Sequence, residues 1–228
     1  GISNDKGRIA ARSGLGAVMG SKQLKAICLT AHHKIEYADR KKLQELNKFY
    51  FSRMKEFKSS PVVKAIGTKL DYFAPLMRVF KMGLSAPGSV IPPMMGTMYG
   101  GVALGTNMTT IISAQNGDSP VKNYKSVGYI DYPMKKAMKL RAKRLNEYGK
   151  KQYGCFSCPL QCGYLLEYEK LPYQDKETHR PEYETSCSFG SLILNDDIDL
   201  LLKVNEYLNR VGMDSIAAGT TVAYVLEG

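Results

Sequence analysis

Residues 12–27 read Arg12-Ser13-Gly14-Leu15-Gly16-Ala17-Val18-Met19-Gly20-Ser21-Lys22-Gln23-Leu24-Lys25-Ala26-Ile27. Glycines at 14, 16 and 20 make residues 13–20 read as a loop whose backbone approaches another group closely, since glycine carries no Cβ. Lys25-Ala26-Ile27-Cys28-Leu29-Thr30 then reads as a short strand. Before this block, the first ten residues are polar and glycine-bearing and show no signal-peptide pattern. After it the pattern turns helical. Asp39 is placed to cap a helix reaching about Lys58, with Leu43, Leu46, Tyr50, Met54 and Phe57 at three- and four-residue steps and Pro61 soon after its end.

Further along, residues 85–106 hold Pro87, Pro92, Pro93, Gly96, Gly100, Gly101 and Gly105 and read as irregular. Pro133 suits the first turn of a helix over 133–149, with Met134, Met138, Leu145 and Tyr148 as a partial apolar face. Asp196 and Asp197 open a helix through Ile198, Leu201, Leu202, Asn205 and Leu208, where their charge favours the positive end of the helix dipole. Gly212 is suited to end it, and Asp214 or Ser215 to cap one more. The expected class is mainly α after a β-flavoured start, with no internal repeat.

The 228 residues are 44% apolar and 23% charged, a globular composition. No apolar run approaches the ~20 residues of a transmembrane helix. The absence of an initial Met and the end at Gly228 inside an apparent helix suggest a piece of a longer polypeptide. The net charge of +11 raises nucleic acid as a partner, although no zinc-finger, RRM or KH signature accompanies it, so a solubilising surface is the plainer reading. Basic residues concentrate at Lys135, Lys136, Lys139, Arg141, Lys143, Arg144, Lys150 and Lys151, with Glu147 as the one opposing charge.

Five cysteines, an odd number without a secretion signal, argue against a disulfide framework and for a reducing, cytoplasmic setting. Cys155, Cys158 and Cys162 fall within eight residues, flanked by Gly154 and Gly163. Thiolates spaced in this way reach one metal centre. A [4Fe–4S] cluster commonly takes three thiolates from one loop and a fourth from elsewhere. Zinc also needs four ligands, with His179 or Cys187 as completions, but it usually brings a second C-x-x-C or a His pair, which this chain lacks. Iron–sulfur is therefore the favoured reading, and a chance grouping of buried cysteines is the plain alternative.

Several motifs together resemble the tungsten- or molybdenum-pterin aldehyde:ferredoxin oxidoreductase family. Residues 12–27 resemble its R-G-G-x-G-A-V-M-G-S-K-x-L-K-A-I block. Asn116-Gly117, Pro120, Asn123 and Tyr124 resemble its N-G-x-x-P-x-x-N-[FY] segment. The cysteine run is similar to its cluster loop, Pro181-Glu182-Tyr183-Glu184-Thr185 to its G-P-E-Y-E-[ST] block, and Asn209-Arg210-Val211-Gly212-Met213-Asp214 to its first D-x-x-G-L-D motif. The resemblance implies an internal fragment. Residues 1–31 would end a pterin-binding β domain, and residues 32–228 would form an incomplete helical domain carrying the cluster loop.

The resemblance also assigns roles. Cys155, Cys158 and Cys162 would hold a [4Fe–4S] cluster, with the fourth cysteine beyond Gly228. Arg12 and Ser13, with the loop after them, would face the pterin phosphates, which suit a guanidinium and free amides. Asn209 and Asp214 would accept from the pterin ring, although both also suit helix ends. Glu184 would be a general acid/base whose pKa burial beside the cofactor would tune. The implied reaction is aldehyde to carboxylic acid at a tungsten or molybdenum bis-pterin centre, with electrons passing to ferredoxin. Departures from the family pattern are Asn209 for Asp, Ser13 for Gly, Arg180 for Gly, and Lys203 where some members carry a Glu holding an interface metal. Any homodimer would therefore lack that metal. The basic stripe at 135–151 runs straight into the cysteine loop and so suits docking of an acidic carrier such as ferredoxin, with a solvated helix face as the plainer reading. Cys187 is expected to be a small core residue. Two alternatives stand beside this reading: a relative acting on another substrate such as an aryl-CoA thioester, and a zinc-stabilised basic nucleic-acid-binding module.

Overall fold

The computed structural model describes residues 1–5, 8–32, 35–59, 61, 69–79, 104–155, 158 and 160–228. Strands β1 (Ile2–Asp5) and β2 (Arg8–Ala10) pair antiparallel, with Ile2 opposite Ala10. The chain then turns at Ser13 (φ 65°) and Gly14 (φ 71°) into helix α1 (Leu15–Ser21). The glycine block is thus mostly a helix entered through a left-handed turn, and not a loop as its glycines suggest. The turn supplies the carbonyl of Gly14 to the Val18 amide at 3.0 Å, and the residues that follow continue the ladder. The close approach expected of the glycines is real at Gly16, where a Cβ would lie 2.9 Å from the backbone of Gly1. Residues 25–30 do not form the expected strand. A strand is held by a neighbour's amides and carbonyls, none pairs with this stretch among the described residues, and Leu29 is 88% exposed.

Helix α2 (Arg40–Ser59) begins where expected, with the Lys42 amide donating to the Asp39 carboxylate at 2.9 Å. Its Leu43, Leu46 and Tyr50 are exposed. Helix α3 (Leu70–Val79) buries Ala74 against α4 (Thr110–Asn116), which follows a 3-10 turn at Gly105–Thr109 and ends at Gly117 (φ 89°). Most of the irregular stretch expected at 85–106 lies outside the described residues.

The helix expected over 133–149 is broken. After α5 (Gly128–Asp131) come α6 (Met134–Ala137), a 3-10 turn at Met138–Leu140 and α7 (Ala142–Asn146). Arg141 between the last two is extended (φ −66°, ψ 156°). Packing explains the break. Ala137 belongs to one core group with Ile111, Ile112, Val121 and Tyr132, whereas Leu140 and Leu145 belong to a second with Leu166, Phe189, Leu201 and Leu202. Five residues of continuous helix would place Leu140 and Leu145 well around the axis from one another. The extended Arg141 turns both into the same core.

A three-stranded antiparallel sheet of β3 (Gly149–Tyr153), β4 (Gly163–Glu167) and β5 (Glu177–His179) covers this second core, with Leu166 on its inner face. Phe189, which follows α8 (Tyr183–Ser188), and Leu201, Leu202 and Leu208 of α9 (Ile198–Val211) complete it, with Ala218 of α10 (Ser215–Glu227) packed against it. Asp197 accepts from the Asp199 amide at 2.8 Å, Gly212 closes α9 at φ 69°, and Asp214 accepts from the Ala217 amide at 2.9 Å. These caps are as expected, and the fold is mainly α with small sheets. Among the described residues no helix is long and apolar enough to cross a membrane.

Candidate functional site

A cavity of about 200 Å³ opens where β2, the ends of β3 and β5, and the ends of α8, α9 and α10 meet. Each element delivers a polar side chain from its terminus. Arg8 comes from β2, Tyr153 from β3, His179 from β5, Glu182 from the entry to α8, Asn209 from the last turn of α9, and Asp214 from the cap of α10. Strand and helix ends leave the core here, so their side chains are free to be polar.

Arg8 organises one wall. Its Nη1 lies 3.7 Å from Glu182 Oε1, and its Nη2 donates to the Tyr153 hydroxyl at 3.3 Å. The guanidinium also sits 5.3 Å from the Tyr153 ring centroid. That hydroxyl is 2.5 Å from His179 Nδ1. Burial works against the Arg8 cation, yet Tyr153, Glu182, Cys155 and Cys162 outweigh it and hold its pKa above the ordinary arginine value.

The residues expected to face a pterin largely converge. Arg12 Nε lies 3.8 Å from the Asp214 carboxylate, and Asn209 lines the same cavity. Ser13 adjoins Arg12 in the left-handed turn and is exposed. Asn209 and Asp214 also serve helix ends: the Asn209 carbonyl accepts from the Gly212 amide, and Asp214 caps α10.

Glu184 is placed otherwise. It is exposed on the first turn of α8, and the burial expected to tune it is not seen. Glu182 and Thr185, three residues apart and so on one side of the turn, line the cavity instead. Thr106 donates to the Glu182 carboxylate.

The three clustered cysteines occupy the loop joining β3 to β4. Cys155 is exposed, Cys158 and Cys162 are half-buried, and the Cys158 amide donates to the Cys155 carbonyl at 3.0 Å. The flanking glycines have a packing cause. A Cβ at Gly154 would lie 3.0 Å from the Gln161 Cα, and one at Gly163 would lie 2.6 Å from the Tyr153 ring. Burial pushes the Cys162 thiol up, with Glu182 adding to it and Arg8 opposing. The donor set fits a thiolate cluster: three sulfurs on one loop, with the positive Arg8 bearing on Cys155 and Cys162. Among the described residues no group of three or more His, Cys, Asp and Glu side chains is gathered to hold a metal ion, so loading would draw the loop together and need a ligand from elsewhere. The zinc completions do not join this loop. His179 is engaged by Tyr153, and Cys187 is buried beside Ser119 Oγ at 3.6 Å, the core position expected of it.

Arg8, Arg180 and Glu182 were not legible as site residues. A lone arginine in a three-residue strand carries no motif, and Glu182 differs from Glu184 only through the direction of α8. The basic stripe is partly neutralised across elements. Lys139 bonds Asp196 at 2.7 Å, Arg144 pairs with Glu147, and Lys150 lies 3.4 Å from Glu177.

The sequence has counterparts among known proteins. The family model described as aldehyde ferredoxin oxidoreductase, domains 2 and 3, matches residues 92–228, and the chain belongs to the aldehyde ferredoxin oxidoreductase family of enzymes. The chain is 26% identical over 226 residues to the tungsten-containing aldehyde ferredoxin oxidoreductase of Pyrococcus abyssi, and likewise 26% to that of Pyrococcus horikoshii. Identity to the Pyrococcus furiosus protein of the same name is 27%. Each alignment covers 99% of this chain and 30% of the relative, so the chain spans under a third of the length of the relatives it matches.

Proposed function

We propose that this chain is the part of a tungsten- or molybdenum-pterin aldehyde oxidoreductase that joins the pterin site to the electron exit. In this reading residues 1–31 close a pterin-binding β domain and residues 32–228 belong to the helical domain, in the cytoplasm. An aldehyde and water become a carboxylic acid, releasing two electrons and two protons, and ferredoxin takes the electrons. One observation carries the reading most directly: Arg8 stands 3.7 Å from Glu182 in the cavity wall while its charge bears on Cys155 and Cys162. One residue therefore borders both halves of the site.

Arg12, the amides after Ser13, Asn209 and Asp214 would hold the pterin. Cys155, Cys158 and Cys162 would hold three corners of a [4Fe–4S] cluster. When bound, the pterin-held metal supplies the two-electron oxidation and the cluster passes electrons on singly. The chain's own residues bind, orient and move protons. Glu182 accepts from Thr106 at the cavity wall, and Glu184, exposed on the same turn, is the proposed acid/base once cofactor and substrate cover it. Exposed Lys151, on the strand that leads into the cysteine loop, and exposed Lys143 offer ferredoxin a positive surface. Lys203 is exposed on α9 and is no metal ligand, so a homodimer would form without an interface metal.

The test uses the full-length protein, purified without oxygen. Aldehyde-dependent reduction of ferredoxin or a viologen dye, with carboxylic acid formed, is the expected result. Dye reduction with an aryl-CoA thioester as the responsive substrate and none with aldehydes would overturn the reaction assigned.

A further inference from the structure

Arg180 is 5% exposed, and among the described residues its guanidinium bonds go to two neutral acceptors. Nη1 donates to Asn146 Oδ1 at 2.5 Å, and Nη2 donates to the backbone carbonyl of Cys162 at 2.6 Å. The guanidinium sits 5.6 Å from the Tyr164 ring centroid, and the Arg180 amide donates to the Tyr164 carbonyl at 2.8 Å. The carboxylate that bears on it most, Glu182, is already within 3.7 Å of Arg8. The neighbouring backbone is shaped around this side chain. Gly105 has φ 65°, and a Cβ there would lie 2.1 Å from Arg180 Nη2.

A buried guanidinium stays protonated, because its pKa begins far above neutrality. Burying such a cation against neutral acceptors is costly unless negative charge lies near. A thiolate-ligated iron–sulfur cluster is anionic, and its potential responds to nearby charge and hydrogen bonding. Cys162, whose carbonyl accepts one of these bonds, is one of the three cysteines proposed to bind that cluster.

We propose that Arg180 is a positioning residue for the iron–sulfur site: it pins the Cys162 end of the loop and sets a fixed positive charge beside it that raises the cluster's reduction potential. The inference rests on the proposed [4Fe–4S] assignment. Its sign follows from electrostatics. Reduction adds an electron, so a nearby cation stabilises the reduced cluster more than the oxidised one. The residue stands where the block that this chain resembles has glycine.

The experiment is an EPR-monitored redox titration of the full-length protein, with iron content measured alongside. Arg180→Gln and Arg180→Gly remove the charge, Arg180→Lys keeps it, and Asn146→Ala keeps it while removing one anchor. A more negative midpoint potential in Arg180→Gln or Arg180→Gly, largely restored in Arg180→Lys and shifted less in Asn146→Ala, is the expected result. Loss of iron from a folded Arg180→Gly protein that Arg180→Lys restores also supports the proposal. An unchanged potential with full iron in either charge-removing variant overturns it. So does failure of both to fold, which leaves Arg180 a structural residue only. Absence of iron from the wild-type protein would instead remove the cluster assignment itself.

Discussion

The Arg12 guanidinium lies 3.8 Å from the Asp214 carboxylate, joining the glycine turn after β2 to the cap of α10. The pair brings together two motifs from opposite ends of the chain at one cavity. Asp214 has a second duty, since it also accepts from the Ala217 amide at 2.9 Å.

The two duties separate by mutation. Asp214→Ala removes the cap and should lower stability by about 1 kcal/mol, whereas Asp214→Asn keeps a good cap and should change it by only a few tenths. Arg12→Ala removes a mostly exposed cation from a long pair and should leave stability nearly unchanged. Thermal unfolding checks the stability order, and pterin content of the purified full-length variants checks the binding role, with Arg12→Ala losing pterin while remaining folded.

Ser13 occupies a left-handed conformation, φ 65°, that glycine adopts freely. Ser13→Gly should therefore raise stability by about 0.5–1 kcal/mol, the relief of strain exceeding the entropy that glycine adds to the unfolded chain. Chemical denaturation of the two proteins side by side is the check, and a loss of stability would show that the turn is not strained.

Leu145 is fully buried, and its helix α7 leads directly into β3 and the cysteine loop. Leu145→Ala should cost about 2–5 kcal/mol through lost burial and the cavity left behind. Denaturation midpoints give the cost. A change below about 1 kcal/mol would mean that the second core collapses around the gap.

Asp199 accepts from Lys170 at 2.5 Å and also from the Tyr168 hydroxyl. The Lys170 bond first, and the Tyr168 bond next, hold its carboxyl below the usual aspartate range. A depressed carboxylate contributes stability that is present above the unfolded pKa near ~3.9 and is lost as pH falls through the folded value. Asp199→Asn should therefore be less stable than wild type at neutral pH, with the gap closing below roughly pH 4. Unfolding measured across acid pH tests it, and a gap independent of pH would refute it.

Ferredoxin docking through the basic stripe should fall unevenly on its residues. Lys139 is already bonded to Asp196 and Arg144 to Glu147, whereas exposed Lys143 has no such pair among the described residues. Charge reversal at Lys143 should slow ferredoxin reduction several-fold at low salt and lessen its salt dependence, while reversal at Lys139 should do less. Stopped-flow rates against ionic strength decide this, and rates insensitive to both salt and charge reversal would remove the stripe from the docking surface.

What was legible in the sequence was local chemistry. The caps at Asp39, Asp197 and Asp214 and the stop at Gly212 each depend on a side chain and the few amides next to it. The cysteine run was legible as a spacing of residues, whereas the β3–β4 hairpin that carries it was not, because its pairing depends on contacts across the sheet. What was not legible depends on partners far along the chain. The break at Arg141 follows from two separate cores claiming Ala137 and Leu145. The strand expected at 25–30 has the composition of one but no partner among the described residues. Glu182 lines the cavity wall because of how α8 is turned, and Arg180 shows in the sequence only as a departure from a motif, since its bonds go to Cys162 and Asn146.

The most direct test of the central proposal, a pterin cavity bordered by an iron–sulfur loop, is the metal content of the full-length protein and of its Cys158→Ala variant. About four iron atoms per chain, with tungsten or molybdenum, are expected in the wild type, and iron alone should fall sharply in the variant. Zinc bound at the cysteine loop, with no iron, tungsten or molybdenum in the wild type, would contradict it.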